Sequence, residues 1–313
     1  MARQAWGDAI LTWSAADSGP LDFFFPQPRL GPSSERSQFA AGPDREDPVR
    51  GVRVTYGRVE IDDLDAPPHN AGDAYLRLHL LSHRLVQPNT INLDGVFSVL
   101  PTVCWTSDGP ASATDAGEVL LRARTAGRRL EVHSVDKFPR MTDYVVPRGV
   151  RVADASRVRL GAYLGEGTTV MHEGFVNYNA GTLGAAMVEG RITQGVVVGD
   201  GTDVGGGASI LGTLSGGGKE RITVGERCLL GANSGLGISL GDDCVIEAGL
   251  YLTAGTVVTL PDGQRAKARQ LSGQSGLLFR RNSVTGVVEA LSRTVEWGGL
   301  NTELHAAGRP AQR

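Results

Sequence analysis

Several signals are scarce in this chain of 313 residues, and each scarcity removes a class of protein. No apolar run approaches the roughly 18 residues of a spanning helix, and the opening MARQAWGDAILTWSAADSG has no basic segment leading into an apolar one. The expectation is a soluble, unexported, cytoplasmic protein that engages no membrane. The cysteines are three, Cys104, Cys228 and Cys244, an odd number without CxxC spacing. That argues against a disulfide framework and against a zinc knuckle. Aromatic residues make up only 6%, and the net charge is only −3. Nothing global therefore draws the chain to nucleic acid or anionic lipid, and an anionic ligand would need a local basic cluster.

Glycine is abundant, at 43 residues, and 20 of them fall between 181 and 260 among Val, Ile and Leu. Steps of six from Ile192 reach Val198, Val204, Ile210, Gly216, Ile222, Cys228, Ser234, Leu240, Ile246, Leu252 and Val258, nine of the twelve being Ile, Leu or Val. An earlier phase runs Val152, Val158, Leu164, Val170 and Val176. Such a beat predicts a solenoid: each hexad gives a short strand and a turn, three hexads make a coil, and stacked coils share backbone hydrogen bonds and an aliphatic column. Gly165, Gly199, Gly205 and Gly241, each directly after an inward aliphatic, suit close approach at the bends. The SGGGKER segment is expected to bulge outward and return in register. The phase slip between Val176 and Ile192 predicts an irregular segment, NYNAGTLGAAMVEGR, where function is most readily grafted.

Residues 1–145 read as a separate α/β domain, with Asp73 capping a helix DAYLRLHLLSHRL and strands at VRVTYGRVEI and GVFSVLPTVCW. The solenoid is expected over 146–262. After the turn signal Pro261, Asp262 and Gly263, residues 263–313 read as a small tail domain with a strand pair around SGLLFRRNSVTGVVEAL.

The segments MHEGFVNYNAGTLGAAMVEGRI, VVVGDGTDVGGGASILGTLSGGG, RCLLGANSGLGISLGDDCVIEAGLY and LLFRRNS resemble the tetrahydrodipicolinate N-succinyltransferases in their actinobacterial form, over about residues 73–290. The resemblance implies a left-handed parallel β-helix, a homotrimer with sites between subunits, and succinyl transfer from succinyl-CoA to the acyclic amine of tetrahydrodipicolinate in diaminopimelate and lysine biosynthesis. No tightly bound cofactor is implied, succinyl-CoA being a co-substrate. A related acyltransferase using acetyl-CoA or another amine, and a non-catalytic hexapeptide scaffold, are the rival readings.

Glu189 leads the catalytic candidates, because acyl transfer from a thioester to an amine needs a base or a carboxylate that takes the acyl group first. The alternative is a solvated turn glutamate. Arg191, two residues on, could hold the succinyl carboxylate bidentately or merely neutralise Glu189. The stretch Arg265, Lys267, Arg269, Arg280 and Arg281 contains no acid and suits the phosphates of CoA. The resemblance assigns Lys267, Arg280, Arg281, Asn282 and Ser283 to CoA, and Gly206, Ser209, Ala232, Glu247, Ala248 and Gly255 to the acyl-CoA groove. His172, the only histidine in the solenoid, is the rival base, while His79 and His83 read as structural or exposed. At Glu173 the resemblance implies a structural magnesium ion on the trimer axis. The companion acidic position is Ser156 here.

Overall fold

The computed structural model describes residues 3–15, 19–34, 36–216 and 219–293, so the last part of the expected tail, 294–313, lies outside the described residues. The chain divides into two compact units, one of residues 1–86 and 90–145, the other of 87–89 and 146–313. Among the described residues no helix is long and apolar enough to cross a membrane.

In the first unit a sheet runs in the order Pro20–Phe24, Ala5–Ser14, Val52–Ile61, Arg45–Asp47, all antiparallel, with Arg29–Leu30 also paired to Ala5–Ser14. Helix Ala71–Ser82 packs against it. The cap is Asn70 rather than Asp73: the Asn70 side chain accepts from the Asp73 N–H. Asp73 instead binds Arg77 at 2.6 Å, and Arg77 also donates to the carbonyls of Leu64 and Asn92. All twelve residues of this helix are buried, so no single leucine stripe exists, and Leu85 lies beyond its end, exposed. The expected strand at 95–105 also differs: Val96–Val99 is a helical turn, and the strand is only Val103–Thr106. Gly95 at φ 76° starts that turn, a left-handed conformation that no extended strand continues through. Val103–Thr106 lies between Gly109–Ser112 and Val132–Asp136 in a three-stranded sheet, where Cys104 and Ala111 pack with Val119 and Ala123 of helix Ala116–Thr125.

The second unit is a β-helix. Its short strands stack in parallel on three faces: the first through 151, 169, 187, 203, 229 and 245, the second through 175, 191, 209, 235 and 251, the third through 163, 181, 197 and 223. Val158, Leu164, Val170, Val176, Ile192, Val198, Val204 and Ile210 are wholly buried. Gly165, Gly199 and Gly205 are needed because a Cβ there would stand 2.5–2.6 Å from backbone atoms of the next coil.

Two details of the beat differ from the count. The segment 177–191 is not irregular throughout: Thr182 pairs with Leu164 and Val188 with Val170, so the hexads continue. The slip is confined to Glu189–Arg191, where the step between inward residues is Val188 to Ile192. The glycine-rich loop does not return in phase. Val198 pairs with Val224 and Val204 with Leu230, two residues later than the count, and a second short turn, Leu236 to Leu240, restores it. Ile222, Cys228 and Ser234 are buried at the bends instead. Hydrogen bonds between coils, not residue counting, set this register.

The described residues 263–293 fall in the same compact unit as the coils. After the turn at 261–263, Arg265–Lys267 pairs with Val257–Thr259, and the hairpin Leu277–Arg281 with Val288–Ser292 extends the first face through Val245–Leu278 and Ile246–Phe279. Phe279 is wholly buried, so this hairpin completes the coil's core rather than forming its own.

Candidate functional site

The shortened bend places Glu189 where the first face turns into the second. Its N–H and that of Gly190 both donate to the Val204 carbonyl, at 2.8 and 3.0 Å. This double bond folds the bend tightly and leaves the Glu189 side chain half-buried. Glu189, Gly190 and Arg191 line a groove of about 500 Å³ with Arg157, His172, Glu173, Phe175 and Gly206. A Cβ on Gly206 would stand 3.5 Å from Glu189 Oε2, so the carboxylate lies directly over that glycine. Among the described residues no ion pair within 4.0 Å joins Arg191 to Glu189. Arg191 is exposed and starts the second face, with Ser209 its in-register neighbour one coil on.

The first-face register carries the site along the axis. Val188, Val204, Leu230, Ile246 and Phe279 are successive partners. The residues that follow them are therefore stacked: Glu189, Gly205, Gly231, Glu247 and Arg280. The next row holds Gly206, Ala232, Ala248 and Arg281. Small residues thus form a trough with the Glu189 groove at one end and a pair of arginines at the other, the geometry an extended ligand needs. The arginine end is fixed by Glu247, whose Oε2 accepts the Arg281 N–H at 2.6 Å while its own N–H donates to Phe279.

The basic stretch is less free of acid in space than in sequence. Glu289, opposite Arg280 in the hairpin, accepts from Arg280 Nε at 2.9 Å and from Asn282 Nδ2 at 2.8 Å. These two partners hold its carboxyl below the usual range. Arg265 and Arg280 share one side of the sheet through the row Arg265–Thr259–Glu289–Arg280, and Lys267, two residues on from Arg265, faces the same way. Lys267, exposed, lines a separate cavity of about 570 Å³ with Arg265, Arg269 and Gln270. Gly255 is exposed in the turn after the last coil, and Ser283 is exposed in the hairpin turn, so neither lies in the Glu189 groove. His79 is structural: wholly buried, it accepts the Phe25 N–H on Nε2.

Sequence reasoning missed Arg157, Phe175 and Asp203. Arg157 donates to the carbonyls of Glu173 and Gly174 and so shapes the bend beneath Glu189. Asp203 stands on the first face just before the Gly205–Ala208 bend, its carboxyl pushed up to about 6 by burial and by the charge of Glu189. An outward acid one coil beyond Met187 was the available signal, but using it requires the 16-residue spacing of that coil.

Comparison with known proteins gives the chain a family. Residues 221–254 match the model of the hexapeptide repeat of succinyl-transferase, and 100–140 that of the tetrahydrodipicolinate N-succinyltransferase middle region. A 2,3,4,5-tetrahydropyridine-2,6-dicarboxylate N-succinyltransferase of Pseudomonas aeruginosa is 60% identical over 247 residues, covering 77% of this chain and 72% of its own. The Vibrio cholerae protein of the same name is 59% identical over 248 residues, covering 77% and 71%. A solved Campylobacter jejuni structure, named for 2,3,4,5-tetrahydropyridine-2-carboxylate N-succinyltransferase activity, superposes with a TM-score of 0.79 at 31% identity over 92% of both chains.

Proposed function

Since the chain belongs to the tetrahydrodipicolinate N-succinyltransferase family, we propose that it transfers succinyl at the shortened bend, with Glu189 as the reacting carboxylate. Its activity is that of a 2,3,4,5-tetrahydropyridine-2,6-dicarboxylate N-succinyltransferase, an acyl-CoA-dependent N-acyltransferase. The observation that carries the assignment is the position of Glu189: half-buried over Gly206, at the one bend that shortens between first and second faces, in a groove it shares with Arg191.

Succinyl-CoA lies along the trough, its thioester at Glu189 and its phosphates toward Arg280, Arg281 and Lys267, while Arg191 takes the succinyl carboxylate. Ser209, Ala232, Glu247, Ala248 and Gly255 border its path, and Asn282 and Ser283 close the phosphate end. On the covalent route Glu189 attacks the thioester carbonyl, the C–S bond breaks, and the CoA thiolate leaves and takes a proton. The acceptor amine then attacks the resulting anhydride and returns the carboxylate. On the base route Glu189 removes the amine proton as the amine attacks the thioester directly, the C–S bond breaks, and the CoA thiolate leaves and takes that proton from Glu189. Asp203 stands beside it, pushed up to about 6, so that at neutral pH it is mostly ionised yet able to take up a proton released in the reaction.

The groove is open on one side, with His172, Glu173 and Arg191 exposed, which supports a site completed by a second subunit; the left-handed winding, the homotrimer and the cytoplasmic location rest on the sequence and its family resemblance alone. One chain offers a single carboxylate, Glu173, for a structural magnesium ion. Ser156, where the resemblance expects an acid, donates to Asp154 Oδ1 at 2.7 Å. Magnesium therefore fits only where three Glu173 copies converge, and it would hold subunits together without entering the reaction. In this reading the chain organises as 1–145, 146–262 and a CoA-binding segment from 263.

His172 lines the same groove and supports a second reading as the base. Release of free thiol separates them. Glu189→Gln is expected to lower turnover by at least about 10² with succinyl-CoA binding retained, and His172→Asn to leave most of it. The reverse pattern assigns the base to His172. Acetyl-CoA in place of succinyl-CoA tests the Arg191 contact.

A further inference from the structure

A cavity of about 340 Å³ lies wholly inside the N-terminal unit, away from the residues of the transfer groove, walled by Asp22, Phe24, Trp105, Pro110, Arg140 and Tyr144. Asp22 is 5% exposed. Its Oδ2 accepts the Tyr144 hydroxyl at 2.6 Å, whereas its Oδ1, also buried, has no hydrogen-bond partner among the described residues. Burial pushes this carboxyl up, and Thr12, Tyr144 and Arg50 oppose the shift without offsetting it. Arg50 itself is held by Asp47 at 2.8 Å and by the Pro110 carbonyl. Around Asp22 the walls are aromatic: the Tyr144 ring centroid is 6.2 Å from that of Phe24 and 6.3 Å from that of Trp105, the latter edge-on.

We propose that this cavity binds the primary ammonium group of a small aliphatic metabolite, with Asp22 as counter-ion and Phe24, Trp105 and Tyr144 as walls. A buried acceptor with an unused oxygen is costly until a donor meets it, and aromatic faces favour a cation. The donor set narrows the cation. A guanidinium wants both carboxylate oxygens in its planar fork, but Oδ2 is taken by Tyr144, leaving one oxygen for a compact ammonium. A divalent metal wants several oxygen ligands, and among the described residues no group of three His, Cys, Asp or Glu side chains could hold one. Arg140, on the same wall, binds Asp143 through Nε at 2.9 Å and stands where an amino acid's carboxylate would fall. The ammonium could thus belong to a free amine or to an amino acid.

Calorimetric titration of the full-length protein tests this with three probes that each carry an n-butyl group: n-butylammonium, norleucine and uncharged n-butanol. The expected result is saturable millimolar or tighter binding of at least one ammonium probe, with n-butanol at least about tenfold weaker. Asp22→Asn, its fold checked by near-UV circular dichroism, should weaken the ammonium probe by a similar factor. Norleucine preferred, with the preference lost in Arg140→Ala, identifies an amino acid as the source; equal binding identifies an amine. Failure of both ammonium probes to saturate, or n-butanol binding as tightly as n-butylammonium, overturns the proposal without relying on any variant. Unchanged binding to a folded Asp22→Asn does the same.

Discussion

The two units bury their interiors by different means. In the β-helix the inward positions are a column of aliphatics with almost no polar company, Thr182 being an exception whose hydroxyl is bonded to Thr168. Each coil needs only its neighbours, so a change in one bend is absorbed locally. In the N-terminal unit the central helix carries buried Asp73, Arg77 and His79: Asp73 is held by Arg77 and the His69 N–H, while Arg77 and His79 are satisfied by partners distant in sequence, Leu64, Asn92 and Phe25. A repeat can therefore lose two residues at Glu189 and gain a loop at 211–221 without losing its core, whereas the first unit depends on polar contacts that tolerate no vacancy. The comparison explains why Glu189, the carboxylate proposed to react, sits in the part whose geometry is most easily varied.

The largest expected effect breaks the comparison at Arg77. Replacing it by Ala strands Asp73 and three carbonyls in a dry interior, and should destabilise the first unit by about 3–5 kcal/mol. Denaturant unfolding followed by tryptophan fluorescence should then show the first unit melting before the coils. A single cooperative transition at the wild-type midpoint would contradict it.

A smaller effect separates the basic residues. Lys267→Ala should weaken succinyl-CoA binding by roughly ten- to a hundredfold, the loss of one charge-assisted contact. Arg280→Ala should cost less, because Glu289 already competes for that guanidinium. Equal losses, measured by calorimetry, would mean that Glu289 releases Arg280 to the ligand.

Acid gives the third contrast, with opposite signs at His79 in the first unit and Asp203 in the second. Burial pushes His79 down to about 3, so the unfolded chain takes up a proton below pH 6.5 that the folded chain refuses. The first unit should lose about 1.4 kcal/mol for each pH unit from 6.5 toward 3. Asp203, pushed up to about 6, holds a proton that the unfolded chain releases, so the coil around it gains stability as pH falls from 6 toward 3.8. Thermal melts between pH 7 and 4 should show the difference, and His79→Gln should flatten the first unit's slope. An unchanged slope would mean that His79 is not the group responsible.

The solenoid was legible because its signal is short-ranged and repeated: one large aliphatic per hexad and glycine where coils touch. Glu189 was legible as the break in that beat, though the break proved to be one bend instead of a fifteen-residue segment. What escaped the sequence depends on which of several available partners a side chain takes. Asn70 rather than Asp73 caps the helix because Asp73 is committed to Arg77 and to the His69 N–H. Glu289 enters the basic cluster only through a hairpin, and Arg157 reaches the groove only because a coil lies beneath it. The tail read as separate because its own pattern is complete, while its link to the coils rests on pairing between Val245–Ile246 and Leu278–Phe279.

The stacked row from Glu189 to Arg280 also acts as a ruler. Its ends are four strand spacings apart, or about 19 Å, and that length is fixed by coil pitch, not by the number of residues between them. The loop at 211–221 can grow or shrink without moving either mark. In the proposed binding mode, a ligand gripped at the far mark presents its reactive carbon at a set reach, so the chain would measure its acyl donor by length before any contact reads its chemistry.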